Sequence, residues 1–277
     1  MKISFGIDVA QQRMEWDELV DRVRFAEQLG FEGAWGFDHF QPMYGQGPGN
    51  CFEGMTTLAA LGASTSKIRI GLLVTGVTYR HPSVLCAQAV TVDHVCHGRL
   101  DMSFGAAWFE PEHSQLGIGF PNTGTRFDLL EDTLEIVTRL MSGEPVTFQG
   151  KTTSLNNAQI RPLPVQRPHP PIWIGGSGAN RTLPLVARYA DAWHTFADPE
   201  QFSKLSLEVD RLAESIGRDP TTIRRASSLS LSKSPDGIVR DIEAWERAGV
   251  DYLICGWPSE GREKVAEFAE GILPRFG

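Results

Sequence analysis

Eight short apolar runs alternate with eight segments of helical period along this chain, and few folds accept that rhythm. The runs fall at residues 2–9, 33–38, 68–77, 99–107, 170–176, 191–196, 223–232 and 251–257. Helical segments follow them at 16–30, 52–64, 82–97, about 127–141, 180–190, 199–216, 235–248 and 261–275. In the first helix Trp16, Leu19, Val20, Val23, Ala26 and Leu29 share one face, and Gly30 supplies the left-handed residue that ends it. Asp198-Pro199 and Ser234-Pro235 each set a capping side chain before a helix-starting proline. The strands are apolar on both faces, as parallel strands covered by helices must be. Eight such units predict an α/β fold of the TIM (β/α)8 barrel type. An open doubly wound sheet would place a GxGxxG turn after its first strand, where this chain has "FGIDVAQQ".

One stretch breaks the rhythm. Residues 144–169 hold "VTFQG" and "TTSLNNAQI", which predict a small hairpin laid on the barrel. No repeat, low-complexity tract or linker divides the remainder, so residues 1–277 are expected to form a single domain. The net charge of −8 argues against a nucleic-acid partner, which asks for a basic face, but allows a small anionic ligand. No run approaches the roughly 20 apolar residues that span a bilayer. "MKISFGIDVA" starts directly as a strand without a signal-peptide pattern, and Cys51, Cys86, Cys96 and Cys255 are scattered with no CxxC pair. Both features predict a cytoplasmic protein without disulfides.

In barrels of this kind the chemistry sits at the C-terminal strand ends. The second strand ends in Asp38-His39, between Phe37 and Phe40. The third offers Thr75, Gly76 and Val77, and the fourth Trp108, Glu110, Glu112 and His113. The fifth runs through Gly175, Gly176, Ser177 and Gly178 into a helix; the sixth offers Trp193 and His194, and the eighth Trp257. A glycine turn opening onto a helix N-terminus favours an anion, most often phosphate, and Arg181 would add a charged donor. The same glycines also suit a tight turn that needs positive φ. Trp108, Trp193, Trp257, Phe40 and Tyr79 suit a wide planar ligand, and beside a phosphate site they suggest a flavin-like or nicotinamide cofactor.

Taken together, "WGFDHFQP", "LLVTGVTYRHPSVLCAQAVTVDHVCHGRLDMSFGAAWFEPEH", "LGIGFP", "RPHPPIWIGGSG" and "LVARYADAWH" resemble the bacterial luciferase-like superfamily. Within it the chain looks most like the oxidoreductases that depend on the deazaflavin coenzyme F420. The resemblance runs from residue 3 to about residue 255. It implies a TIM barrel with an insertion, dimeric as its relatives tend to be, acting on a small molecule. Asp38 and His39 would lie by the reactive edge of the deazaflavin. Thr75, Gly76, Val77 and Trp108 would back its ring, with a non-proline cis bond matched to Gly76–Val77. The phosphate would fall on Gly175, Gly176, Ser177, Gly178 and Arg181. His39 could then exchange a proton beside the hydride-transfer centre, with Asp38 orienting its ring or hydrogen-bonding a heterocycle N–H; the plainer alternative is a histidine that caps its strand.

There is also a departure. Sugar-phosphate dehydrogenases of this branch carry a catalytic glutamate just after strand 4, where this chain has Trp108. That favours a reductase, with Phe40, Glu110, Trp193, His194 and Trp257 as the expected substrate pocket. Two rival readings stand beside it: an FMN-dependent monooxygenase using oxygen, and a barrel that binds a cofactor without turnover. "VDHVCHGR" gathers Asp93, His94, Cys96 and His97, but at the end of the barrel away from the chemistry, so no metal site is expected. "RRASSLS" has the look of a phosphorylation sequence, yet Ser227 and Ser228 fall within a strand.

Overall fold

The computed structural model describes residues 2–277. Nine strand segments close into a parallel eight-stranded barrel wrapped by helices. In chain order they are β1 (Ser4–Asp8), β2 (Gly33–Gly36), β3 (Arg69–Leu72) with its continuation β4 (Thr75–Gly76), and β5 (Leu100–Gly105). After the antiparallel hairpin β6 (Val146–Gln149) and β7 (Ser154–Ala158) come β8 (Ile172–Gly175), β9 (Ala192–His194), β10 (Arg224–Ser230) and β11 (Tyr252–Gly256). The sheet runs β3-β2-β1-β11-β10-β9-β8-β5, and β5 pairs back onto β3 to close it. The helices are α1 (Trp16–Gln28), α2 (Gly54–Ser64), α3 (Pro82–Val95), α4 (Glu110–Leu116), α5 (Thr123–Met141), α6 (Thr182–Tyr189), α7 (Pro199–Ser215), α8 (Pro235–Arg247), α9 (Arg262–Gly271) and α10 (Leu273–Phe276).

Strand residues of one parity face the helices and join the large outer core, as Phe5, Ile7, Ile70, Phe104, Trp193 and Leu253 do. The other parity points inward. There Trp35, Trp173 and Tyr252 fill the barrel with Ala192, Ala226 and Ile254. The Trp35 and Trp173 rings lie 4.4 Å apart, and the Trp35 indole donates to the Tyr252 hydroxyl at 3.0 Å. Gly6 is inward on β1; a Cβ there would sit 2.5 Å from the Tyr252 oxygen, so no larger residue fits beside this aromatic plug.

Three expectations change. The apolar run 68–77 is not one strand: β3 stops at Leu72 and β4 resumes at Thr75, with a cis peptide at Leu73–Val74. The non-proline cis bond is therefore there, and not at Gly76–Val77. Gly76 and Val77 instead pair with β5, the Val77 N–H donating to the Gly105 carbonyl at 3.2 Å. Between β5 and the helix expected from about residue 127 stands a further helix, α4, whose second residue is Pro111, a residue the first helical turn tolerates because it needs no N–H there.

Candidate active site

The break between β3 and β4 shapes the barrel mouth. It packs Leu73 on the aromatic plug and sets Val74 between the ends of β5 and β8. A Cβ on Gly105 would come within 2.5 Å of Val74 Cγ2, and one on Gly175 within 2.8 Å of Val74 Cγ1. Glycine at those two strand ends is the condition for Val74 to form this floor. Thr75 is fixed behind it, its N–H donating to Ser103 Oγ at 3.2 Å.

Asp38 does not orient His39. It is buried and takes both ends of the Arg80 guanidinium, at 2.7 and 2.9 Å, and the Gly76 N–H at 3.0 Å. Arg80 also binds Glu53, the N-cap of α2. Burial works against the Arg80 charge, but the two carboxylates more than offset it and hold its pKa above the usual value. A shielded cation needs such partners, and Asp38 is consumed in supplying one.

The carboxylate on His39 is Glu112, from α4. Glu112 is fully buried, and its Oε2 lies 3.1 Å from His39 Nδ1 and accepts the Tyr79 hydroxyl at 2.5 Å. Its Oε1 accepts the N–H groups of Phe40 and Gln41 at 2.7 and 2.8 Å. Burial opposes the charge, yet His39, Tyr79 and the Phe40 N–H together keep the Glu112 carboxyl below its usual range. Facing an ionised acceptor, His39 Nδ1 carries the proton and Nε2 is the nitrogen left for other partners.

Tyr79 is locked in turn. It stacks on His113 at 4.5 Å, and Phe40 meets it edge-on at 5.1 Å. His113 Nδ1 donates to the Phe109 carbonyl at 2.8 Å, so its Nε2 accepts from Thr78 Oγ1 at 2.7 Å. Trp108 stands at the rim, 68% exposed, its ring 6.4 Å from that of His39. Glu110 is exposed two residues before Glu112 and has no bond to His39. Cys51 donates its thiol to the His39 carbonyl at 3.4 Å; burial first, and Glu112 second, push that thiol up to about 12, so it stays protonated.

Across the mouth the loop after β8 is exposed from Gly176 to Asn180, with Gly176 at φ +119°. Among the described residues no protein acceptor takes the N–H groups of Ser177, Gly178, Ala179 or Asn180, in the turn that precedes α6. That is the donor set an anion would satisfy. Arg181 does not add to it freely: its guanidinium is 2.6 Å from Asp128 and packs on Phe127.

The other expected pocket residues scatter. Trp193 has outward parity, is fully buried and stacks on Phe202 at 4.9 Å. It serves the loop from beneath, its indole donating to the Gly176 carbonyl at 2.7 Å. Trp257 lies under the Arg22 guanidinium at 4.7 Å, in a groove with Asp21 and Arg262 on the outer wall. His194 does face inward, but it is buried and bonded through Nε2 to Ser228 Oγ at 3.0 Å. Burial pulls its pKa down to about 3, so the ring is neutral at ordinary pH. At the opposite end of the barrel Asp93 holds Gln166, and His94 bonds the Leu163 carbonyl. Those residues are structural.

A family model described as luciferase-like monooxygenase matches residues 1–270. An F420-dependent glucose-6-phosphate dehydrogenase of Microbacterium testaceum is 31% identical over 84% of this chain and 69% of its own length. An F420-dependent hydroxymycolic acid dehydrogenase of Mycobacterium tuberculosis is 29% identical over 87% of this chain and 66% of its own. The chain thus spans about two thirds of the length of these two relatives. Among solved structures, a coenzyme F420-dependent tetrahydromethanopterin reductase from Methanopyrus kandleri superposes with a TM-score of 0.85 at 19% identity, each chain fully covered. A long-chain alkane monooxygenase superposes at 0.82 and 14%, over 99% of this chain and 91% of its own. At such identities these superpositions speak for the fold. The family model's match to nearly the whole sequence places the chain in the luciferase-like monooxygenase family.

Proposed function

We propose that this protein is an oxidoreductase that uses coenzyme F420 to reduce a small organic substrate. The observation that carries the reading is His39, held at Nδ1 by the buried Glu112 carboxylate at the lip of a glycine-lined mouth. The coenzyme, when bound, supplies a two-electron hydride carrier. The donors of Ser177 to Asn180 suit its phosphate, and the floor of Val74 between Gly105 and Gly175 suits a flat ring. His39 Nε2 exchanges a proton at that ring's edge, while Glu112 and Tyr79 hold the imidazole in one orientation. Reduction is the favoured direction because the β5–α4 side offers no free base: Trp108 has no carboxyl, Glu112 is committed to His39 and Glu110 faces solvent.

The two named relatives support F420, whereas the family description leaves room for reduced FMN and oxygen as a second reading. Titration with F420 and with FMN, followed by quenching of the protein's tryptophans, separates them. Saturable binding of F420 and none of FMN is the expected result, with F420 oxidation in a substrate screen lost in His39→Ala. Tight FMN binding with no F420 binding overturns the proposal.

A further inference from the structure

One half-buried carboxyl at the mouth takes no part in the arrangement above. Asp8 ends β1, and its register partners on the neighbouring strands are Trp35 of β2 and Gly256 of β11. Gly6 two residues earlier faces the Trp35–Tyr252 plug, while Phe5 and Ile7 face the helices. By strand alternation the Asp8 carboxyl therefore points into the barrel, one step above the plug, on the strand beside that of His39.

Asp8 has little to hold it there. Its Oδ1 accepts the Ala10 N–H at 2.8 Å, and among the described residues no cation pairs with it. Burial pushes its carboxyl up, with only the Ala10 N–H pulling the other way. No charged side chain acts on it. Of its register partners Trp35 carries no charge and Gly256 has no side chain, and His194, also inward, is a neutral imidazole bonded to Ser228. The cations of the site are spoken for, Arg80 by Asp38 and Glu53, Arg181 by Asp128. A half-buried carboxyl in a cleft without a countercharge marks a place where a ligand brings one.

We infer that Asp8 is the subsite for a protonated nitrogen of the substrate, which places amines and iminium compounds ahead of phosphorylated or carboxylated ones. The inference rests on the proposed reading of the mouth as the active site and deepens it. A bound ammonium pairs with the Asp8 carboxylate and supplies the countercharge that the chain does not.

The test uses the full chain without cofactor, labelled with 13C at the aspartate carboxyls, the Asp8 resonance being identified by its loss in Asp8→Asn. Benzylammonium, benzoate and glucose 6-phosphate are the probes. Saturable movement of the Asp8 signal by benzylammonium alone is expected, with binding roughly tenfold or more weaker in Asp8→Asn. Equal response to benzoate or glucose 6-phosphate, or unchanged benzylammonium binding in Asp8→Asn, overturns the inference. F420 titration of the same proteins keeps the two proposals apart. Retained F420 binding in Asp8→Asn with lost benzylammonium binding supports both, whereas absence of F420 binding in the unmutated protein defeats the function proposed above without touching the Asp8 result.

Discussion

The two ends of this barrel carry charges in opposite ways. At the N-terminal end the shielded arginines find their acceptors within the chain. Arg69 forks onto Asp101 at 2.8 Å through both Nε and Nη2 and also reaches the Leu100 carbonyl and Gln166. Arg224 binds Glu32, and Arg99 donates to the carbonyls of Gly62, Thr65 and Ile68. At the C-terminal end the accounts are left open: four loop amides lack acceptors, His39 Nε2 is free, and Asp8 has no cation. Closed networks hold a fold, whereas open ones leave bonds for a ligand to complete. The comparison predicts that changes at the closed end act on stability and changes at the open end on binding and rate.

The largest effect is expected at the closed end. Asp101→Ala strands the half-buried Arg69 guanidinium, and breaking such a pair costs about 3–5 kcal/mol. Urea denaturation measures it, and replacing both partners by Arg69→Met and Asp101→Leu should recover much of the loss. If the single variant unfolds at the same urea concentration as the unmutated protein, the closed end is not what holds the barrel shut. At the open end His39→Ala should do the reverse, lowering the turnover number by roughly 10²–10⁴-fold while stability moves by under about 1 kcal/mol. A His39→Ala protein that unfolds early but turns over normally would merge the two ends and erase the contrast.

Between these stands the floor of the mouth. Gly175→Ala places a methyl 2.8 Å from Val74 Cγ1, an overpacking that costs about 1–3 kcal/mol. The strain belongs to the pair, so adding Val74→Ala should relieve it, and a double-mutant cycle in thermal unfolding reads the coupling. Additive losses would mean that Gly175 is required for some other reason.

The architecture was legible in the sequence because strand and helix periods are local properties. The closed β3–β5 pairing follows once eight units are counted, and the hairpin showed in its polar, turn-rich composition. Parity was not legible. Parallel strands buried on both faces do not alternate, so nothing in "DAWH" told that Trp193 turns outward and His194 inward, or that Asp8 in "FGIDV" turns inward. The cis bond left no mark in "IRIGLLVTGV", which reads as unbroken apolar sequence. Glu112 was hidden for a different reason. Its partner His39 is 73 residues away, and a seven-residue helix holding Pro111 looks like a loop. A local signal existed only in hindsight, since Glu112 follows Trp108 by one helical turn and so can reach back under the rim.

The smallest predicted effect tests whether Glu112 belongs to the closed kind of network although it stands at the open end. Its carboxyl sits below its ordinary range in the folded protein because His39, Tyr79 and two backbone N–H groups outweigh the opposing effect of burial. A depressed folded value means that the ionised form is favoured by folding. The stabilisation is then complete above the unfolded carboxyl value of about 4.3 and is lost as pH falls through the folded value. Glu112→Gln removes this dependence, while Glu53 and Glu32, also held low, titrate alike in both proteins and cancel in the difference. Unfolding free energies of the two proteins should therefore differ by about 1 kcal/mol near pH 6 and converge as the pH is lowered toward 3. A gap that stays constant, or widens, in acid would show that Glu112 is not ionised in the folded protein. His39 Nδ1 would then lose its reason to carry the proton, and the case for a free Nε2 at the mouth would go with it.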